Sequence, residues 1–137
     1  MKTIGAIIAA FVLNFGGDYL LHAVLLKPAY DQTPQLFRSQ AGMNSHFWAI
    51  VAGELLFAIG AVLVYLRGVE KKPWAGQGLR FGILLAIVAV APGVFITYAT
   101  SPISHQVALH WMLGDGILAI IVGFAIAAIC QPSAQSA

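Results

Sequence analysis

The chain has 137 residues, of which 60% are hydrophobic and only 9% charged, with a formal net charge of +2. A soluble domain carries roughly 25% charged residues, so this chain cannot cover a water-facing surface of its own. Its few, scattered Lys and Arg residues exclude a nucleic-acid-binding stripe, and its single cysteine, Cys130, excludes an intrachain disulfide.

Four apolar runs organise the sequence, at about 3–26, 46–66, 81–99 and 106–130. Each is near the ~20 residues that cross the hydrocarbon core of a bilayer. The fold class expected is therefore all-α: one domain over 1–137, an integral membrane bundle of four transmembrane helices whose first partner is the lipid bilayer.

The first run begins "MKTIGAIIAAFVL", which could pass for a secretory signal. No small-x-small cleavage site follows promptly and the apolar run resumes after Asp18, so the segment is read as a helix. It carries Asn14, Asp18 and His22, spaced i, i+4, i+8 and therefore within an arc of roughly 80°. The linker after it, "KPAYDQTPQLFRSQAGMNS", holds Pro28 and Pro34 and reads as an ordered surface loop.

The second run starts near His46 and carries Glu54 on a nearby helical face. A polar stretch, "RGVEKKPWAGQGLR", leads to the third, "FGILLAIVAVAPGVFITYA", which holds no charge. Pro92-Gly93 should bend it, and Thr97 and Tyr98 close its polar end. After the short "TSPISH" turn, the fourth run carries Gln106, His110 and Asp115. His110 and Asp115 are five apart, roughly 140° around the helix, so one should point away from the centre; Asp115, the deeper, is expected there. Cys130 ends the run as a small apolar filler, and "QPSAQSA" has no structure signals.

Lys2, Arg67, Lys71, Lys72 and Arg80 fall on one side of such a bundle, and Lys27 and Arg38 on the other. The positive-inside rule then places both termini in the cytoplasm, and short loops suit a bacterial inner membrane. At 1.5 Å per residue, Asp18 lies roughly 24 Å along its helix from Lys2, Glu54 roughly 12 Å in from His46, and Asp115 roughly 15 Å in from His105. Three carboxyl groups on three helices share a similar depth, with no Lys or Arg in any of the four runs. A charge at the bilayer centre costs ~2.5–3.5 kcal/mol even on the lenient insertion scale, so they should face inward. Each follows a glycine, in "GGD", "GE" and "GD", which suggests close helix contacts beside them. Gly53 with Gly60, and Gly116 with Gly123, extend these smooth faces. The openings "HFWAIVAGELL" and "HWMLGDGIL" also echo each other.

No H-E-x-x-H, C-x-x-C pair, glycine-rich phosphate loop or G-x-S-x-G occurs, so no catalytic chemistry is indicated. Three readings of the polar residues stay open. They fix the bundle by interhelical hydrogen bonds, in an accessory or assembly subunit of a larger membrane complex or a homo-oligomer. Or Asn14, Asp18, His22, Glu54, Tyr98, His110 and Asp115 form an outward-facing pocket that binds, or helps to transport, a small ligand, proton or cation. Or His22, His46 and His110 hold a transition metal or haem as cofactor.

"KPAYDQTPQLF" and "HWMLGDGILAIIVGFAIAA" resemble a group of uncharacterised four-helix bacterial membrane proteins, a domain of unknown function. In that group an aromatic- and proline-containing outer loop follows the first helix, and a glycine-rich last helix carries a polar residue. The resemblance implies four spans and no activity, cofactor or site residue.

Overall fold

The computed structural model of the chain describes residues 1–131; the rest of the tail, Pro132 to Ala137, lies outside the described residues. Among the described residues the chain is helical throughout its regular structure. In order it forms α1 (Lys2–Leu25), the short α2 (Lys27–Asp31) and α3 (Gln40–Ser45), then α4 (Phe47–Gly68), α5 (Trp74–Thr100) and α6 (His105–Cys130). A single 3-10 turn, Pro34–Leu36, lies between α2 and α3.

Helices α1, α4, α5 and α6 are each long and apolar enough to cross a membrane, the signature of a multi-pass membrane protein. Their outward faces expose large apolar side chains such as Ile8, Leu56, Leu63, Val88, Ile96, Leu113 and Ile117. So extensive an apolar surface is foreign to a soluble monomer. Lys2 Nζ donates to the Gln131 carbonyl at 3.0 Å, which fixes the start of α1 and the end of α6 at one end of the bundle, the terminal end. Helices α2 and α3 cover the opposite, capped end.

Helix α6 is the hub, packing along both α5 and α1, while α4 packs on α1. The α5–α6 seam is made by Gly78 and Gly82, one turn apart on α5, against Gly123 of α6. A Cβ on Gly123 would lie 2.6 Å from the Gly82 Cα, and one on Gly78 would lie 2.9 Å from the Phe124 Cα. The backbones are in contact, and only glycine fits between them. Of the glycines that the sequence suggests as contact points, Gly123 is in this seam, whereas Gly53, Gly60 and Gly116 have nothing within 4 Å of an added Cβ.

The same seam explains why α5 begins at Trp74, seven residues before the apolar run that announced it. Glycine at 76, 78 and 82 costs about 1 kcal/mol each in helix propensity, and Gln77 and Arg80 break the hydropathy. Packing on α6 overrides both signals. Gln77, only 5% exposed, then fastens the 69–73 link. Its amide donates to the carbonyls of Glu70 at 2.9 Å and Lys72 at 2.8 Å, and its oxygen accepts from the Glu70 N–H at 2.8 Å.

Short connections are expected to pair sequence neighbours, but α4 and α5 do not pack side by side despite their short link. Each finds smaller side chains elsewhere: α5 on α6, α4 on α1. Near the link they touch through the rings of Tyr65 and Phe81, 5.2 Å apart and edge to face. The main core lies in this half, with Ala6, Ala10, Ala58, Val62, Val122 and Ile126 buried. A smaller core at the capped end joins Val94, Ile103 and Ala108, with Leu36 and Trp111 against it.

Two of the long helices widen locally. Pro92 lacks an N–H and crowds the turn before it, and over Ala86–Val90 the ladder becomes a π-helix before α-helix resumes at Ala91. At Pro92-Gly93, where the sequence suggests a bend, the helix runs on through this π segment without a break. In α1 a second π segment runs from Tyr19 to Leu25, directly after Asp18, and the Leu26 N–H bonds to the Leu21 carbonyl at 2.8 Å. Pro28 follows this one by three residues, as Pro92 follows the other by two.

Candidate functional site

Two leucines and two glycines position the site. Leu118 of α6 seats against Gly17 of α1, and Leu21 of α1 seats against Gly114 of α6; a Cβ at either glycine would collide with the leucine. This reciprocal fit sets the register of the two helices. It brings the residues that follow each glycine, Asp18 and Asp115, to the same space. Glu54 of α4 joins them.

These carboxyl groups line a cavity of about 360 Å³, within the lower range of small-molecule sites. Asn14 completes its polar side. Phe57, Val90, Val94 and Ala119 form its apolar side, with Gly93, Thr97 and Trp111 also in the wall. The cavity therefore occupies the space that α4 and α5 leave between them, and the π segment of α5 contributes Ala89 and Val90 to it. No Lys or Arg is among its lining residues.

The Asn14 amide links two helices. Its nitrogen donates to Glu54 Oε2 at 2.7 Å and to Asp18 Oδ2 at 3.3 Å, using both N–H bonds. Toward the capped end a second network runs through His22. Its Nε2 lies 3.2 Å from Asp115 Oδ1, and its Nδ1 lies 2.6 Å from the Tyr30 hydroxyl. The Trp111 indole N–H donates to that hydroxyl at 2.6 Å. An indole can only donate, so the Tyr30 oxygen accepts from it. With neutral His22, Tyr30 turns its own hydrogen to Nδ1, and Nε2–H is left to donate to Asp115.

Tyr30 belongs to α2, outside the four long helices. Burial pushes its phenol up to about 12; the Trp111 hydrogen bond opposes this and the Asp115 carboxylate adds to it. Tyr30 thus keeps its proton across the physiological range and acts as a fixed hydrogen-bonding post. Phe37 packs on it with ring centroids 4.7 Å apart, tying the cap to the site.

One ligand atom each from Asp18, His22 and Asp115 lies within 4.8 Å of the other two, and all three residues are half-buried. The histidine set suggested by the sequence for a metal or haem is not assembled. His46 is exposed at the start of α4, with Nδ1 2.8 Å from the Gly42 carbonyl, and His110 is exposed with Nδ1 2.6 Å from the Gln106 carbonyl. Each ring is turned back onto its own stretch of chain, so neither joins His22. Tyr98 is 47% exposed and is not among the residues that line the cavity. Its neighbour Thr97, one residue and roughly 100° round the helix, lines the wall instead.

Asn14, Asp18, His22, Glu54 and Asp115 are therefore brought together, and Tyr98, His46 and His110 are not. Tyr30 and Trp111 are the participants that sequence reasoning missed. Trp111 had a signal, lying four residues before Asp115 and so on its face. Tyr30 had none beyond being an aromatic in a proline-flanked loop. No family model matches the sequence, and no curated protein or solved structure is significantly similar to it, so the resemblance noted above supplies no site residue.

Proposed function

We propose that the protein is a small multi-pass protein of the bacterial inner membrane, with both termini cytoplasmic, that binds or helps to transport a small cationic ligand or protons in its acid-lined cavity. The observation that carries this is the meeting of Asp18, Glu54 and Asp115, from three helices, around one cavity whose lining holds no basic residue. Each charge held at membrane depth costs ~2.5–3.5 kcal/mol, a cost that a bound cation or proton offsets. The apolar side of the cavity suits the hydrocarbon part of an organic cation, and Trp111 offers it an aromatic face. Orientation rests on Lys2, Arg67, Lys71, Lys72 and Arg80 against Lys27 and Arg38. Reporter fusions in the 69–73 link should read cytoplasmic and fusions near Gln35 external.

The test is a titration of the full-length protein in nanodiscs with methylammonium, following Trp111 fluorescence in a Trp48→Phe, Trp74→Phe background. Saturable binding is expected. Asp18→Asn should weaken it by removing a charge, and Gly93→Leu by filling the cavity, since an added Cβ there meets nothing within 4 Å. Absence of binding, or binding indifferent to both variants, overturns the proposal.

A further inference from the structure

We infer that Asp18, His22 and Asp115 form a binding site for a divalent first-row transition-metal ion of the Zn²⁺ type. This inference rests on the reading of the cavity as a cation site and names the ion.

Three features support it. The first is donor chemistry. One imidazole nitrogen and two carboxylate oxygens are the borderline-hard set that divalent zinc, cobalt and manganese accept, and three protein ligands leave a position open. Here the open side is the cavity itself, since Asp18 and Asp115 both line it.

The second is geometry. Bonds of ~2.0–2.2 Å in a tetrahedral site place ligand atoms roughly 3.4 Å apart. His22 Nε2 and Asp115 Oδ1 are 3.2 Å apart, already at that spacing. All three ligand atoms lie within 4.8 Å of one another, so closure to that spacing needs a carboxylate to move by at most roughly 1.4 Å, within reach of a side-chain rotation. Asn14 donates to Oδ2 of Asp18 at 3.3 Å, and a carboxylate has lone pairs enough to keep that bond and ligate an ion as well.

The third lies outside the three ligands. Metal-bound histidines almost always have their second ring nitrogen held by a hydrogen-bonding partner. His22 Nδ1 is held by the Tyr30 hydroxyl at 2.6 Å, and Trp111 fixes that hydroxyl from another helix. With an ion on Nε2, the ring hydrogen moves to Nδ1 and is donated to Tyr30, whose oxygen has two lone pairs and accepts from both neighbours.

Charge favours a dication over a monovalent ion. Two ionised aspartates and a neutral histidine around M²⁺ sum to zero, the cheapest outcome at membrane depth. Glu54, held by Asn14 at 2.7 Å, stands beside the site without being needed for this balance.

The experiment uses the full-length protein in nanodiscs, cleared of metal with a chelator and titrated with Co²⁺ while its visible d–d absorption is read, then competed with Zn²⁺. One equivalent per chain is expected, displaced by Zn²⁺. Tyr30→Phe touches no ion but should weaken binding about 10- to 100-fold, with helical content unchanged. His22→Gln and Asp115→Asn should weaken it further. If Co²⁺ and Zn²⁺ do not bind stoichiometrically, or bind the variants as they bind the parent, the metal site is wrong. Asp18-dependent methylammonium binding without metal binding would overturn this inference and leave the cavity reading standing. Loss of both would overturn both.

Discussion

At the terminal end, Gly78, Gly82 and Gly123 bring α5 and α6 into backbone contact, and Ala6, Ala10, Ala58 and Ala61 are 0–5% exposed. Roughly one to three turns further along the helices, Asp18, Glu54 and Asp115 stand around open space. Hydropathy does not distinguish the two regions, because each helix is apolar along most of its length. Side-chain size does. Where residues have no Cβ or only a methyl group, helices close and bury one another. Where polar groups stand on three helices, and π segments widen α1 and α5, a gap remains that hydrogen bonds span. A bundle this small can keep an internal site because one half supplies the packing and the other is free to leave a cavity.

Glycine substitutions would break that comparison most sharply. Gly123→Leu, which drives a side chain into the α5 backbone, should cost at least about 3 kcal/mol or prevent folding. Gly93→Leu in the wall of the cavity should leave stability unchanged or raise it by up to about 1 kcal/mol through helix propensity. Thermal unfolding in detergent, followed by helical circular dichroism, reads both. Equal losses would show that the two halves are packed alike.

The links at the two ends come next. Gln77→Ala leaves one N–H and two carbonyls of the 69–73 link without partners and should cost about 1–3 kcal/mol. Tyr30→Phe removes a hydroxyl shared by Trp111 and His22 at a half-buried position and should cost about 1 kcal/mol. A larger loss from Tyr30→Phe would mean that the cap, not the terminal core, holds the bundle together.

pH should separate the ends with the smallest effects. Tyr30 has its pKa raised by burial to about 12 from an ordinary 10.0. Between these values the unfolded chain has lost the proton and the folded one has kept it. Its contribution is thus complete below pH 10 and lost as pH climbs through about 12. Glu70 is held below its ordinary value by the Lys72 hydrogen bond and charge, with Arg80 adding to this. Its contribution is complete above pH 4.5 and fades as pH falls. Alkali should therefore loosen the cap first, seen as a change in Trp111 fluorescence, and Tyr30→Phe should remove that phase. Acid should loosen the 69–73 link, seen as faster proteolysis there, and Glu70→Gln should make that rate independent of pH.

The sequence by itself determined four long apolar helices, because apolar length is a property of the chain alone, and it placed Asn14, Asp18 and His22 on one face of α1, because helical spacing is local. It could not show that α5 starts at Trp74, since glycines that weaken a lone helix become contact points only when α6 lies against them. It could not tell Thr97 from Tyr98, or separate His22 from His46 and His110, because a difference of one residue turns a side chain by roughly 100° and only a neighbouring helix defines inward. Tertiary structure alone decided the rest. The reciprocal seating of Leu118 on Gly17 and Leu21 on Gly114 set α1 against α6, and Tyr30 on α2 of the cap meets His22, joining groups 8, 81 and 93 residues apart in sequence. Shape between helices, which no single helix encodes, made one site of them.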